Sequence, residues 1–257
     1  MKRRIDQLLV DRGLAESRRR AQSLLLAGQI LVEEQRVEKP GHLVDSKAEI
    51  RILRRLPFAS RAGVKLQAAL DHFQISVAGR ICADLGASTG GFTDCLLQNG
   101  AKAVHAFDVG KGQLAWKLQS DARIFVRDGF NVRNLKAEDL PQEVSFVSID
   151  LSFISVTKVL LSLQKALAAH AASTTCTADK AVIDIMILVK PQFELGKGEV
   201  GKGGIVRDNI KRLKALQSVE TYARQIGFRV VGNMASPLAG AKGNLEFLLY
   251  LQLPKGL

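Results

Sequence analysis

The sequence predicts an α/β fold, with a parallel or mostly parallel sheet of seven strands preceded by a small α+β unit. Three observations carry that reading. From about residue 60, strand-like apolar runs alternate with amphipathic helical stretches. One such run, at 81–85, breaks directly into the turn Gly86-Ala87-Ser88-Thr89-Gly90-Gly91, and an amphipathic stretch starts at Phe92. The first 55 residues instead hold two short helical patterns and a few short β-like pieces, too little chain for an enzyme alone.

Taken in order, Ile5, Leu8 and Leu9 recur at helical spacing, and Gly13 stops that helix. Ser17 suits the N-cap of a second helix over 18–27, with Ala21, Leu24 and Leu25 facing inward and Gly28 ending it. Pieces at 29–32, 36–37, 43–44 and 49–53 read as strands, with a turn at Glu33-Glu34-Gln35. Arg54-Arg55-Leu56-Pro57-Phe58 is a connector, because Pro57 disfavours helix at Leu56. The chain therefore divides into 1–58 and 59–257. In the second part, strands are expected at 80–85, 103–108, 123–128, 145–150, 184–190, 227–235 and 245–252. Helices are expected near 62–73, 91–99, 111–118, 154–169 and 208–226. The last two strands suit an antiparallel edge hairpin, and the Ala/Ser/Thr-rich stretch 171–178 suits a surface loop.

Charge narrows the partners. The net charge is +12, and it is unevenly spread: residues 1–55 hold 13 Lys+Arg against 8 Asp+Glu, the other 202 hold 24 against 17. The denser surplus at the N-terminus points to a polyanion such as nucleic acid. No apolar run approaches the ~20 residues that span a bilayer. The longest, such as 183–189 and 247–251, are strand-length. The basic N-terminus lacks the apolar stretch of a signal peptide, since Asp6, Asp11, Arg12 and Arg18-Arg19-Arg20 interrupt it. A cytoplasmic protein with no membrane partner and no obligate protein partner is expected. Cys82, Cys95 and Cys176 form neither a CxxC pair nor an even set, and the four histidines are scattered, so no metal site is expected.

The turn after 81–85 lets the backbone approach a bound ligand closely. A dinucleotide fingerprint would need glycine two residues after Gly86, where Ser88 stands. Downstream, Gly196-Lys197-Gly198-Glu199-Val200-Gly201-Lys202-Gly203 nearly spells a phosphate-binding loop. There Gly203 replaces the magnesium-binding Ser/Thr, and Pro191-Gln192-Phe193-Glu194 precedes it in place of a strand. S-adenosyl-L-methionine fits the turn better. Asp84, Asp108 and Asp128 close three successive strands and so line one sheet edge, where open α/β sheets bind ligands. Asp108 would meet the ribose hydroxyls and Asp128 the adenine amino group. Gly86, Ser88, Gly90, Gly91 and Phe92 complete the expected cofactor set with Asp84.

Four further charged residues stand out: Lys65 in SRAGVKL, on the helix before the first strand, and Asp150 in FVSIDLSFIS, Lys190 in LVKPQFE and Glu246 in GNLEFLLY, at strands that tolerate ionised groups poorly unless paired or functional. Two lysines and two carboxylates can satisfy one another in a small polar cluster beside a cofactor methyl. A ribose 2′-hydroxyl attacking that methyl must lose its proton. Either a lysine of lowered pKa takes it, or a cationic lysine stabilises the developing oxyanion.

The opening string RIDQLLVDRGLAESRRRAQSLLLAGQILVEEQRVEKPGHLV resembles the RNA-binding module named after ribosomal protein S4. In that family the second helix presents basic side chains to structured RNA, which maps here onto Arg18, Arg19 and Arg20, with Arg4 nearby in sequence order. Residues 60–257 resemble the FtsJ-type ribose methyltransferases, which carry a Lys-Asp-Lys-Glu tetrad on a Rossmann-like seven-stranded sheet with helices on both faces. The tetrad maps in order onto Lys65, Asp150, Lys190 and Glu246, and the strings DLGASTGGFTD and GGIVRD also match. Together the two parts resemble the TlyA (haemolysin A) family. That resemblance implies S-adenosylmethionine-dependent 2′-O-methylation of cytidine in ribosomal RNA, on free rRNA or ribosomal subunits. The linker LPFA lacks a tryptophan that some members carry. Two other classes compete: a non-catalytic, ribosome-associated RNA-binding protein, and the membrane-active haemolysin of the family label.

Overall fold

The computed structural model describes residues 2–26, 28–52, 57–173, 182–196, 198–240 and 242–254, with only the backbone at 171–173. Ala27, Leu53, connector residues 54–56, Cys176 and most of the expected 171–178 loop lie outside the described residues. The chain forms two compact units, Met1–Leu56 and Pro57–Leu257.

The first unit runs β1 (Lys2–Arg4), α1 (Ile5–Asp11), α2 (Arg18–Leu26), β2 (Ile30–Val32), β3 (Gln35–Arg36), β4 (Leu43–Asp45) and β5 (Ile50–Ile52). As expected, Ser17 caps α2, its Oγ accepting the Arg20 amide at 3.2 Å. Glu33 and Glu34, both at positive φ, make the two-residue turn between β2 and β3, a geometry matched to strand twist. Ile5, Leu8 and Leu9 of α1 pack on Ala21, Leu24 and Leu25 of α2 to form the core with Ile30 and Val32. β1 was not expected. Its three residues are exposed cations without apolar alternation, and only pairing with β4 makes them a strand.

In the second unit seven strands form one sheet: β6 (Ile81–Leu85), β7 (Ala103–Asp108), β8 (Ile124–Asp128), β9 (Val144–Ile149), β10 (Val182–Val189), β11 (Arg229–Ala235) and β12 (Phe247–Pro254). Their order is β11-β12-β10-β9-β6-β7-β8. β10, β9, β6, β7 and β8 pair in parallel, while β12 runs antiparallel to β10 and β11. The expected hairpin is therefore present, but β12 inserts inside the sheet and only β11 is an edge.

Strand alternation builds a core on each face. Ala83, Leu85, Val147, Ile149, Ile185 and Ile187 point one way, under α6 (Thr157–Ser173) and α8 (Asn209–Gln225). Cys82, Phe146, Met186 and Leu188 point the other way, under α3 (Arg61–His72) and α4 (Gly91–Gln98). The helix expected at 111–118 shrinks to α5 (Trp116–Gln119). Asp108 Oδ1 takes the Gly110 amide and Asp128 Oδ2 the Gly112 amide, both at 2.7 Å, and Gly112 stands at φ 62°, a left-handed backbone through which no α-helix runs.

The helices α3 and α4 meet at two glycines. A Cβ on Gly63 would lie 2.4 Å from Phe58 Cβ and 2.7 Å from the Gly91 carbonyl oxygen; one on Gly91 would lie 2.2 Å from Ser60 Oγ. Overpacking this crossing should cost about 1–3 kcal/mol. Urea denaturation of Gly63→Ala is expected to show that loss, and a midpoint equal to wild type would refute the crossing.

Candidate active site

The chain leaves β6 to build β7 and β8 on one side, then returns to build β9 on the other. Ligands of open α/β sheets bind at such a reversal, beyond the carboxyl ends of the strands. There the Asp150 amide donates to the Leu85 carbonyl at 3.0 Å, joining the ends of β9 and β6. Gly86 follows at φ 91°, and a Cβ on it would sit 2.5 Å from the Asp150 carbonyl oxygen. Glycine is required twice here, by φ and by contact.

A cavity of about 1030 Å³ opens at this point. Gly86, Ser88, Asp108 and Gln113 line one end, Phe130 and Asn131 one wall, and Asp150 with the segment after it the other. Asp108 closes β7 and is half-buried, and its Oδ2 accepts the Ser88 amide at 2.7 Å. Each carboxylate oxygen keeps a lone pair for a ligand hydroxyl. Ser88 Oγ donates to Gln113 Oε1 at 3.2 Å.

Asp84 does not reach this cavity. Period-two alternation turns it with Cys82 toward α4, where it is fully buried. Thr93 Oγ1 donates to its Oδ2 at 2.7 Å and Ser148 Oγ to its Oδ1 at 2.9 Å. It underpins the turn and cannot touch a ligand as placed. Gly90, Gly91 and Phe92 are buried and also stand apart from the cavity. Gly90 is the left-handed N-cap of α4, where a Cβ would strike Leu118 at 2.4 Å. Asp128 is exposed and lies outside the cavity wall, engaged with the Gly112 amide.

The four charged residues come together as two ion pairs. Lys65 Nζ of α3 lies 2.5 Å from Glu246 Oε2, both buried, and Gly240 leaves room for the carboxylate. Lys190 Nζ, at the end of β10, lies 2.6 Å from Asp150 Oδ1 and donates to Ser152 Oγ at 2.9 Å. The Asp150 contact is ionic and off the hydrogen-bond axis, since Oδ1 receives no aligned donor. Of the four, only Asp150 lines the cavity.

Residues of the two segments that follow these strand ends were missed. Lys190 is the N-cap of α7 (Pro191–Glu194), whose Glu194 accepts from Ser155 Oγ at 2.5 Å and from the Val156 amide at 3.0 Å. Glu194 thus ties the segment after Asp150 to the helix after Lys190, and burial pushes its carboxyl upward. Phe153, 91% exposed and at φ 65°, packs on Phe193 at 5.4 Å and borders the cavity. Aromatic side chains rarely accept positive φ, so its neighbours must hold it there. The strings LSFIS and PQFE after two strand ends were the available signal, because such loops carry function. The glycine-rich 196–203 segment leaves α7 rather than a strand, and Asn244 Nδ2 holds its end by donating to the Gly204 carbonyl at 2.8 Å.

In the first unit Arg4 and Arg18 both reach Asp6, at 2.9 and 3.0 Å. Arg19 and Arg20 are exposed and pair with no described residue.

This strand order, with a cleft at its reversal, is that of a Rossmann-like methyltransferase fold. The FtsJ-like methyltransferase family matches residues 58–253, and the S4 domain matches residues 3–50. The chain is 43% identical over 251 residues to the 16S/23S rRNA (cytidine-2′-O)-methyltransferase TlyA of Mycobacterium tuberculosis, covering 97% of this chain and 89% of that one. It is 40% identical to Hemolysin A of Brachyspira hyodysenteriae over 96% of this chain and 98% of that one. A solved structure from Streptococcus thermophilus superposes with a TM-score of 0.72 at 41% identity, covering 98% of this chain and 88% of that chain. The chain belongs to the TlyA family of FtsJ-like methyltransferases, enzymes whose methyl donor is S-adenosylmethionine. The residues fit that donor: a carboxylate for ribose hydroxyls, Phe107, Phe130 and Val132 for an apolar base, and the Asp150 oxygens near Gly86 for a cationic sulfonium.

Burial pushes the Asp84 carboxyl up to about 6 against the pull of its two hydroxyl partners, and the Asp150 charge adds to the rise. A carboxyl raised from 3.8 holds more protons folded than unfolded, so stability falls as pH climbs from 3.8 to about 6. Asp84→Asn removes this linkage. Its stability relative to wild type should improve by up to about 3 kcal/mol between pH 4 and 7. Urea melts across that range should show it; a pH-independent difference would exclude a neutral Asp84.

Proposed function

We propose that this protein methylates the 2′-hydroxyl of cytidine in ribosomal RNA, with Lys65, Asp150, Lys190 and Glu246 at the reaction centre and residues 1–58 engaging the RNA. The observation that carries the catalytic reading is the Lys190–Asp150 pair, 2.6 Å apart at the sheet's reversal, with Asp150 on the cavity wall. When bound, S-adenosylmethionine supplies an electrophilic methyl on a sulfonium. Asp150 orients the Lys190 ammonium toward the incoming ribose. Lys190 faces the 2′-oxygen, steering the hydroxyl and stabilising charge on it as the hydroxyl gives its proton to solvent and takes the methyl, with S-adenosylhomocysteine as the leaving group. The buried Lys65–Glu246 pair fixes the α3 side of the site and the loop that precedes β12. Phe153 offers an exposed ring to the base of the bound nucleotide.

The RNA reading is supported by the S4-domain match and by Arg4, Arg18, Arg19 and Arg20 on one small basic unit. The names of the relatives are the support for cytidine and for ribosomal RNA. The haemolysin name of another relative gains no structural counterpart, since among the described residues no helix is long and apolar enough to cross a membrane.

Lys190→Ala should lower methyl transfer by about 10²–10⁴-fold. Calorimetry with S-adenosylmethionine should give an unchanged affinity. Transfer within a few-fold of wild type would remove Lys190 from the centre. Mapping 2′-O-methyl positions on rRNA incubated with protein and radiolabelled cofactor tests the product. Label on a base would overturn the ribose assignment.

Phe153→Ala should raise the KM for rRNA about tenfold, as loss of one stacked base implies, and leave cofactor affinity unchanged. An equal KM would rule out the ring as a base contact.

A further inference from the structure

Among the described residues of the first unit, Asp6 is the one buried charged side chain. Its carboxylate has no exposed surface, yet it accepts from two arginines that are about half exposed, 48% for Arg4 and 53% for Arg18. Arg4 engages it through Nε at 3.0 Å and Nη2 at 2.9 Å, and Arg18 through Nε at 3.0 Å. Gln22 Nε2 at 3.3 Å and the Gln7 amide at 3.0 Å complete the set. Arg4 closes β1, Asp6 lies in α1 and Arg18 opens α2, so one carboxylate ties three elements together. Arg4 Nη1 and both Arg18 terminal nitrogens make no hydrogen bond with a described residue.

We propose that Asp6 is a positioning residue for RNA binding. It clamps Arg4 across both carboxylate oxygens and Arg18 on the shared Oδ2, so that their free guanidinium edges form a single preset site for a backbone phosphate. This rests on the reading that the first unit binds RNA. A guanidinium presents its donors in a rigid plane, and a plane fixed beforehand surrenders little freedom when phosphate arrives. The Arg4 hydrogen bonds hold the Asp6 carboxyl well below the usual carboxylate range, with Arg18 and Gln22 adding to the effect against burial. The clamp therefore stays charged at neutral pH.

Charge alone and positioning predict opposite signs. Asp6→Asn adds one positive charge to an RNA-binding surface, which by charge alone should tighten binding and steepen its salt dependence. Positioning predicts the reverse: about tenfold weaker binding, and a salt slope reduced by about one phosphate contact. The measurement is full-chain binding to protein-free ribosomal RNA across salt concentrations, with circular dichroism confirming the fold. Asp11→Asn, an exposed carboxylate of α1 paired with Arg3, reports the pure charge effect and should bind slightly tighter. Where Asp6→Asn fails to fold, Arg18→Lys replaces it. That change keeps the charge but loses the planar fork, and it should bind about tenfold weaker. Tighter or unchanged binding by Asp6→Asn, or by Arg18→Lys in its place, overturns the proposal. The double variant Arg4→Ala/Arg18→Ala separates the two layers. If it binds as wild type, the RNA reading of this site fails; if it weakens while Asp6→Asn and Arg18→Lys do not, only the positioning role fails.

Discussion

The catalytic unit depends on one close approach, the backbone of Gly86 against the carbonyl of Asp150. Where the chain reverses direction across the sheet, the ends of β6 and β9 are stitched by the Asp150 amide and the Leu85 carbonyl. A side chain at position 86 would force these ends apart, and both walls of the cavity start from them. Asp150 enters the site on that stitch and carries Ser152, Phe153 and Ser155 behind it. Gly86 passes the chain to Ser88, whose amide locks Asp108 in place. Both walls of the cavity are thus set by the same pair of backbones.

Carboxylates in this protein act mostly on backbone and neighbouring side chains, and their ligand roles follow from what remains. Asp108 and Asp128 each fold a glycine turn by taking an amide, and Asp84 is consumed by two hydroxyls beneath the turn. Of these three, only Asp108 combines that duty with a place on the cavity wall. Asp6 does the corresponding work in the first unit with guanidiniums in place of amides. In each case a local anion removes the freedom of groups that would otherwise have to be ordered by the ligand.

The two buried or half-buried ion pairs have a different logic. An isolated lysine under a sheet edge is costly, and a partnered one is tolerated without being a large source of stability. Lys65 and Glu246 are 181 positions apart in sequence, so their pairing exists only because α3 packs on the face where β12 inserts. Such charges add little stability of their own, since apolar residues of the same size would serve as well.

Much was legible in the chain. Alternating strand and helix patterns located all seven strands, since period-two apolar runs between amphipathic helices have few other solutions. The glycine turn, the strand-end acids and the four charged residues were visible because each breaks a local rule of composition. What was not legible depended on which way a side chain faces and on who takes a backbone donor. Asp84 stands one residue before the end of β6 and pairs with Ala106, two residues short of Asp108, so the first is buried beneath α4 while the second reaches the strand end and the cavity wall. The helix at 111–118 gives way to a turn with Gly112 left-handed, held by Asp108 and Asp128 from strands outside that segment, and β1 became a strand only through its partner. Phe153 and Glu194 were marked only by standing just after strand ends, because their role arises where two segments from non-neighbouring parts of the sequence meet. The sequence by itself determined the elements, the charge surplus and the residue types available for catalysis. Tertiary structure decided which of those residues share a cavity, because direction and distance belong to the packed sheet and not to spacing along the chain.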